Sequence, residues 1–299
     1  SFRAYSFFDE ASTPLLVGVI LALIFALCIF GGSKQISKIT EVLVPFMGIF
    51  YLAVALFVTV THYTLIPGMF SDIFSNAFDF RAIFGGFTGS CVMNGIKRGL
   101  FSNEAGVGSA PNAAASAAVS HPVKQGLVQM LSVFIDTILI CSATACLLLC
   151  SGVAPSEELK GMPWVQAAAS QSLGSFGTIF ITVALCLFAF TTLIGNFYYA
   201  EMGLKYLCGK TPGKVLLNLF RVIAVLIVLA GSVMEFGLVW STADVLMGFM
   251  ALINLPVILL LGGTAIRCMK DYMRQKKEGK DPVFKAADIG MKEKTDFWN

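Results

Sequence analysis

Three places in the sequence combine residue types and spacings that could do chemistry in an apolar setting. The first is the run from Ala82 to Ile96, which holds Gly85, Gly86, Thr88, Gly89, Ser90, Asn94 and Gly95. As ideal helix this run reaches only about 22 Å; letting about four or five residues around Gly85 to Gly89 go extended brings it to about 30 Å, a bilayer core. A helix broken in this way presents N–H groups at one break, which attract a carboxylate, and carbonyls at the other, which attract Na⁺ or an ammonium group. Those are the two ends of an amino acid. The same glycines also suit close helix packing through small-xxx-small contacts, and it is the shortness of the run that favours the break.

The second place is Gln129, Ser132 and Asp136, spaced i, i+3, i+7, which puts a polar stripe on one helix face with an acid near the middle of an apolar run. An acid at that depth is costly, so it either binds a cation or fixes neighbouring helices by hydrogen bonds; no second acid accompanies it. The third is FAFTTLIGNFYYAE, where Phe188, Thr192, Asn196 and Tyr199 share a face and Thr191 stands beside them. Adjacent hydroxyl oxygens suit a weakly bound alkali ion, and equally they bond back to carbonyls of the preceding turn.

The elements that must carry these residues are membrane helices. The chain is 57% hydrophobic and 13% charged, with a mean hydropathy of +0.79, whereas a soluble domain carries about a quarter charged residues. Seven stretches approach the about 20 apolar residues needed to span a bilayer: Pro14 to Phe30, Val42 to Val60, Ala82 to Ile96, Gly126 to Cys150, Phe176 to Tyr199, Val215 to Val233 and Leu238 to Gly262. If they alternate across the membrane, all of the 21 Lys and Arg except Arg3, Arg81 and Lys160 fall on one side or in the tail. The positive-inside rule makes that side cytoplasmic, with the C-terminus inside. The reading is therefore a transmembrane domain over 1–266 and a cytoplasmic tail over 267–299. The tail continues the last helix and then becomes a solvated or surface-lying segment whose Lys/Arg run near Arg274 to Lys277 meets lipid headgroups.

Other features exclude other classes. The eight cysteines lie mostly in or beside apolar runs with no CxxC pair, as buried small hydrophobes rather than a disulfide framework or zinc site. The two histidines are isolated and no Ser/His/Asp arrangement is present, which argues against a membrane enzyme. The basic residues form no nucleic-acid patch. MPWVQAAASQSL, residues 162–173, reads as a short amphipathic helix on the outer face or a connecting loop. Pro45 and Pro256 lie inside spans, and Asp244 and Asn254 are further polar positions in the last one. The opening SFRAYSFFDEASTP lacks the parts of a signal peptide, and an apolar span follows almost at once.

The stretch GSCVMNGIKRGLFSNEAGVGSAPNAAASAAVSHPVKQGLVQMLSVFIDTILICSATA, residues 89–145, resembles the alanine or glycine:cation symporter family, also called sodium:alanine symporters. FAFTTLIGNFYYAE, and GGSKQISKITEVLVPFM at residues 31–47, resemble it at matching order and spacing, so the resemblance covers nearly the whole chain apart from the tail. It implies an all-α polytopic membrane protein with the leucine-transporter fold of inverted repeats, here core helices four to ten, the C-terminal two-thirds or so of such a protein. Ala82 to Ile96 then becomes the broken core helix six. Because the unwound core helix one contributes much of the family's site, the chain as written is expected not to transport.

Residue by residue, the resemblance places Phe87, Thr88, Gly89 and Met93 beside the substrate, with Thr192 in core helix eight. Many members have Trp where this chain has Asn196, which replaces an apolar wall by an amide and leaves the preferred amino acid open. Thr191 and Thr192 fall where the fold places sodium ligands, and Asn103 and Glu104 near the cytoplasmic end read as a gate or helix cap. The implied activity is symport of a small neutral amino acid, alanine or glycine, with Na⁺ as coupling ion and no cofactor, by alternating access in the bacterial plasma (inner) membrane. The partners are that amino acid, Na⁺ and membrane lipid, with no nucleic acid. A non-transporting receptor or scaffold of the same fold, and proton coupling with Asp136 as carrier, are the rival readings.

Overall fold

Six of the seven expected spans are long apolar helices in the computed structural model, which describes residues 2–10, 12–78, 91–154, 156, 159, 161–209, 212–291, 295 and 298. All described elements are helical, as suits a multi-pass membrane protein in which backbone polar groups must be satisfied within each segment. They are α1 (Thr13–Phe30), α2 (Ser33–Thr61), α3 (Ile66–Ala77), α4 (Cys91–Ser102), the short α5 (Ala110–Ala114), α6 (Pro122–Phe134), α7 (Ser142–Leu149), α8 (Met162–Leu173), α9 (Ser175–Leu207), α10 (Lys214–Val233) and α11 (Phe236–Lys277). A π-helical stretch, Ile135–Cys141, joins α6 to α7, so Pro122–Leu149 is one continuous span. Most of the glycine-rich run from Ala82 onward lies outside the described residues, and only its end, from Cys91, is seen as helix.

Two helices are longer than their apolar cores. α2 starts at Ser33 and α11 runs on to Lys277, so the expected loop around Lys34 and Lys38 is helical. Charged side chains at helix ends keep their heads in water while the stems stay on the helix, which lets the backbone continue. MPWVQAAASQSL is a helix, α8, but Val165, Gln166, Ala168 and Ala169 are buried, so it is packed rather than lid-like. Gly174, at φ +59, is the single residue between α8 and α9 and permits their tight reversal.

The chain divides into two units. The first comprises residues 1–98 and 137–239. Within it α2, α7, α8 and α9 share a core of Tyr51, Ala55, Val58, Leu147, Val165, Ala168, Ala169, Phe180, Ile181 and Ala184. A second cluster joins α1, α2 and α9 through Phe25, Ile29, Ile36, Ile194 and Phe197, with Phe25 edge-on to Phe197 at 5.8 Å. Small residues let backbones approach here. A side chain at Gly18 of α1 would overlap Ser232 of α10, and one at Gly177 of α9 would overlap the Ala169 carbonyl of α8.

The second unit comprises residues 99–136 and 240–299. None of the most apolar stretch of α11 is buried within the chain, so its Leu and Val side chains are free to meet lipid or other helices. The segment after α11, expected to be solvated or surface-lying, packs against protein: Pro282, Phe284, Ala286 and Ile289 are buried.

Candidate functional site

The three candidate groups fare differently. Phe87, Thr88 and Gly89 lie outside the described residues; Met93 is half-buried in the first turn of α4. The other groups fall on α9 and on the span that includes the π-helical stretch.

α9 has two contrasting faces. Phe180, Ile181, Ala184, Thr191, Ile194, Phe197 and Glu201 are buried, and the open face carries Val183, Cys186, Ala189, Thr192 and Asn196 at helical spacing. A lipid-facing surface is usually made of large apolar side chains, as on α10 and α11; small and polar residues fit a face that meets another helix or a ligand. Thr192 and Asn196, four residues apart, therefore stand one above the other on that open face. Thr191 is turned about 100° away. Its hydroxyl donates to the Phe188 carbonyl at 3.0 Å, so its oxygen still has lone pairs to offer a cation.

Tyr51 positions this helix. Its ring meets Phe188 edge-on at 5.6 Å and Phe180 at 6.2 Å, and its hydroxyl reaches Thr144 Oγ1 at 2.8 Å. These side chains border a small cavity of about 240 Å³ lined by Tyr51, Thr144, Met162, Val165, Ile181 and Phe188 among others.

Asp136 sits at the start of the π-helical stretch, half-buried, and accepts a hydrogen bond from Ser102 Oγ at 3.3 Å. Gln129 is half-buried on α6, and its carbonyl accepts from Ser132. π-helical turns shift the register of everything that follows and recur at functional sites. Gln129 and Ser132 lie on α6, whereas Asp136 is in the π-helical stretch itself. Asn103 and Glu104 form a turn after α4. Asn103 donates to the Gly99 carbonyl at 3.0 Å, and Glu104, held at φ +50, accepts from Ser109 Oγ. In the same unit Asn254 donates to the Gly106 carbonyl at 3.0 Å, which gives that intramembrane amide a partner.

Sequence reasoning missed one charged cluster. Glu201, near the end of α9, is buried with Lys205 Nζ at 2.6 Å and Arg221 Nη2 of α10 at 3.9 Å. The Arg221 guanidinium lies over the Phe30 ring at 5.6 Å. The i, i+4 pair of Glu201 and Lys205 was legible as a surface bridge; its burial, which comes from α1 and α10, was not.

Known proteins show the same pattern over most of the chain. The amino-acid carrier protein AlsT of Bacillus subtilis (strain 168) is 44% identical over 284 residues, covering 95% of this chain and 60% of that protein. The sodium/alanine symporter AgcS of Methanococcus maripaludis is 40% identical over 266 residues, 88% of this chain and 58% of that protein. A sodium/proton-dependent alanine carrier protein of Bacillus sp. (strain PS3) is 38% identical over 310 residues, 99% of this chain and 69% of that protein. The chain thus spans about 60% of the length of the first of these. The profile of the Sodium:alanine symporter family matches residues 3–286, and on that coverage, which takes in every described helix long enough to span a membrane, the chain belongs to the sodium:alanine symporter family.

Proposed function

We propose that the protein serves sodium-coupled symport of a small neutral amino acid, alanine or glycine, by alternating access across a plasma membrane. The family is one of transporters, not enzymes. The observation that carries the reading is the face of α9: Thr192 and Asn196 share an open, small-residue surface, while Tyr51 holds the helix through its contacts with Phe180 and Phe188. Such a surface offers a hydroxyl and an amide to a zwitterion. Met93, with Phe87, Thr88 and Gly89 before it, completes the substrate set in this reading. Thr191 and Thr192 supply hydroxyl oxygens to Na⁺.

The proposal includes the leucine-transporter arrangement, with a transmembrane domain over 1–266 and residues 267–299 on the cytoplasmic side, supported by the distribution of Lys and Arg. Membrane lipid meets the exposed faces of α10 and α11. Inward Na⁺ supplies the driving force, since each charge moved inward gains about 2.3 kcal/mol per 100 mV.

Proton coupling is the second reading, favoured by the position of Asp136 in a π-helical turn and by the relative named for both ions. The test is uptake of labelled alanine and glycine into proteoliposomes holding the product of the whole reading frame. The sodium reading expects uptake that follows an imposed Na⁺ gradient, fails when K⁺ replaces Na⁺, and falls at least about tenfold in Thr192→Ala, a loss of one substrate hydrogen bond. Uptake driven by a pH gradient and lost in Asp136→Asn favours the proton; no uptake of any small neutral amino acid by folded protein overturns both.

A further inference from the structure

His121 is one of the most deeply buried side chains in the protein, with none of its surface exposed, although it lies in a loop just before α6. Its walls come from three elements. Tyr272 of α11 meets the ring edge-on at 5.1 Å and Phe284 of the following segment at 5.2 Å, while Asp271 Oδ2 stands 3.4 Å from Nε2. Nδ1 accepts the Val123 N–H at 3.2 Å and so caps α6. That bond fixes the neutral tautomer: the lone pair is on Nδ1, and the proton is on Nε2, facing Asp271.

The segment that covers the ring is tied down at every turn. Pro282, Phe284 and Ala286 are buried, alternating with exposed Asp281, Val283 and Lys285, the pattern of an extended strand laid on a surface. Phe284 N donates to the Ser120 carbonyl at 2.9 Å, Ser120 Oγ donates to the Pro282 carbonyl at 3.0 Å, and Lys124 pairs with Asp281 at 2.6 Å. Gln275 clasps both backbone groups of Val283 and also donates to Asp271 Oδ2. Asp271 thus already serves Arg274 and Gln275 besides the imidazole.

We infer that residues 280–289 are a pH-sensitive latch, held closed over neutral His121 across the start of α6 and the end of α11, and released when His121 takes up a proton. A proton on Nδ1 would oppose the Val123 N–H, strip α6 of its cap and place a cation in an enclosed site. The charged and titratable groups that face the ring or its surroundings are Lys124 from α6, Asp271, Tyr272 and Arg274 from α11, and Asp281, Lys285 and Asp288 from the latch. Asp271 favours the imidazolium and Lys124 opposes it, but burial is the largest influence and holds the His121 pKa below its ordinary value. In the released state the ring is hydrated and titrates near about 6.5. The closed state therefore binds fewer protons than the open one; closure is fully favoured above about 6.5 and weakens as pH falls below it.

Release is read by trypsin cleavage after Lys280 and Lys285, which requires the segment to leave its surface, in the full chain in lipid nanodiscs and calibrated at each pH against an unstructured peptide. Cleavage is expected to rise severalfold from pH 7.5 to 5.5, with roughly tenfold the ceiling for one proton taken up by a ring that titrates near about 6.5 when released. His121→Asn, whose amide can cap α6 but does not titrate, is expected to show a flat profile. A pH-independent wild-type rate, or a pH response that persists in His121→Asn, overturns the latch. NMR titration of His121 in a His62→Asn background, where it is the sole histidine, decides independently of how that variant folds. A pKa at or above the ordinary value overturns the proposal; a lowered one supports it.

Discussion

The Tyr51 hydroxyl donates to the Thr144 hydroxyl at 2.8 Å, because Thr144 spends its own proton on the Ile140 carbonyl at 2.9 Å. The bond joins α2 to α7 just beyond the π-helical stretch, where a backbone register change most needs an external tie. It also sets the ring that meets Phe188 on α9, so one side chain links three helices beside the proposed transport face.

Tyr51→Phe should therefore cost about 1 kcal/mol, since Thr144 keeps its own bond to Ile140 and no donor is orphaned. Tyr51→Ala should cost about 3–5 kcal/mol because it enlarges a cavity that is already open. Thermal unfolding in detergent separates the two. If Phe is as damaging as Ala, the hydroxyl rather than the ring carries the packing.

Two glycines on α9 should behave oppositely. A Cβ at Gly177 would run into the Ala169 backbone carbonyl, which cannot move without shifting α8, whereas a Cβ at Gly203 meets nothing within 4 Å. Gly177→Ala should cost about 1–3 kcal/mol or more by overpacking, and Gly203→Ala should be neutral or stabilising by about 0.5–1 kcal/mol through helix propensity. The yield and melting temperature of folded protein give the answer, and equal tolerance at both sites would refute the close α8–α9 contact.

For the charged cluster the burial decides the ranking. Glu201→Gln leaves Arg221 largely buried without its carboxylate and should cost about 3 kcal/mol, the scale of a broken buried pair. Lys205→Gln leaves Glu201 with Arg221 and removes a partner that is 29% exposed, so its cost should be about 1 kcal/mol or less. Thermal melts of both variants at neutral pH and matched salt make the comparison. The reverse ranking would mean that Lys205, not Arg221, is the carboxylate's main support.

How much of this was legible follows from what each feature depends on. The long helices were readable because a run such as Val215 to Val233 is mostly apolar, with Arg221 its one charge, and its helix, α10, matches within a residue at either end. The face of α9 was readable because helical spacing alone aligns Thr192 with Asn196. The burial of His121 was not: a histidine before Pro122 in a polar loop reads as exposed, and its cover comes from Asp271 and Phe284, far along the chain. The π-helical stretch left no composition signal either, since IDTILIC would pass for ordinary apolar helix. Long-range packing and hydrogen-bond register are properties of the assembled chain, so a local pattern holds no record of them.

The different burial of the adjacent threonines, about 100° apart on the helix, makes their roles separable. Thr192 is exposed on the open face, so Thr192→Val should leave stability within about 0.5 kcal/mol while raising the KM for alanine roughly tenfold by removing one substrate hydrogen bond. Thr191 is buried and its hydroxyl is already engaged with Phe188. Thr191→Val should instead raise the Na⁺ concentration for half-maximal uptake, and Thr191→Ser, which keeps the oxygen, should restore it. Uptake measured over a grid of alanine and Na⁺ concentrations distinguishes the two effects. If both valine variants move the same parameter by the same factor, the two hydroxyls act at one point, and the assignment of the substrate contact to Thr192 and not Thr191 is wrong.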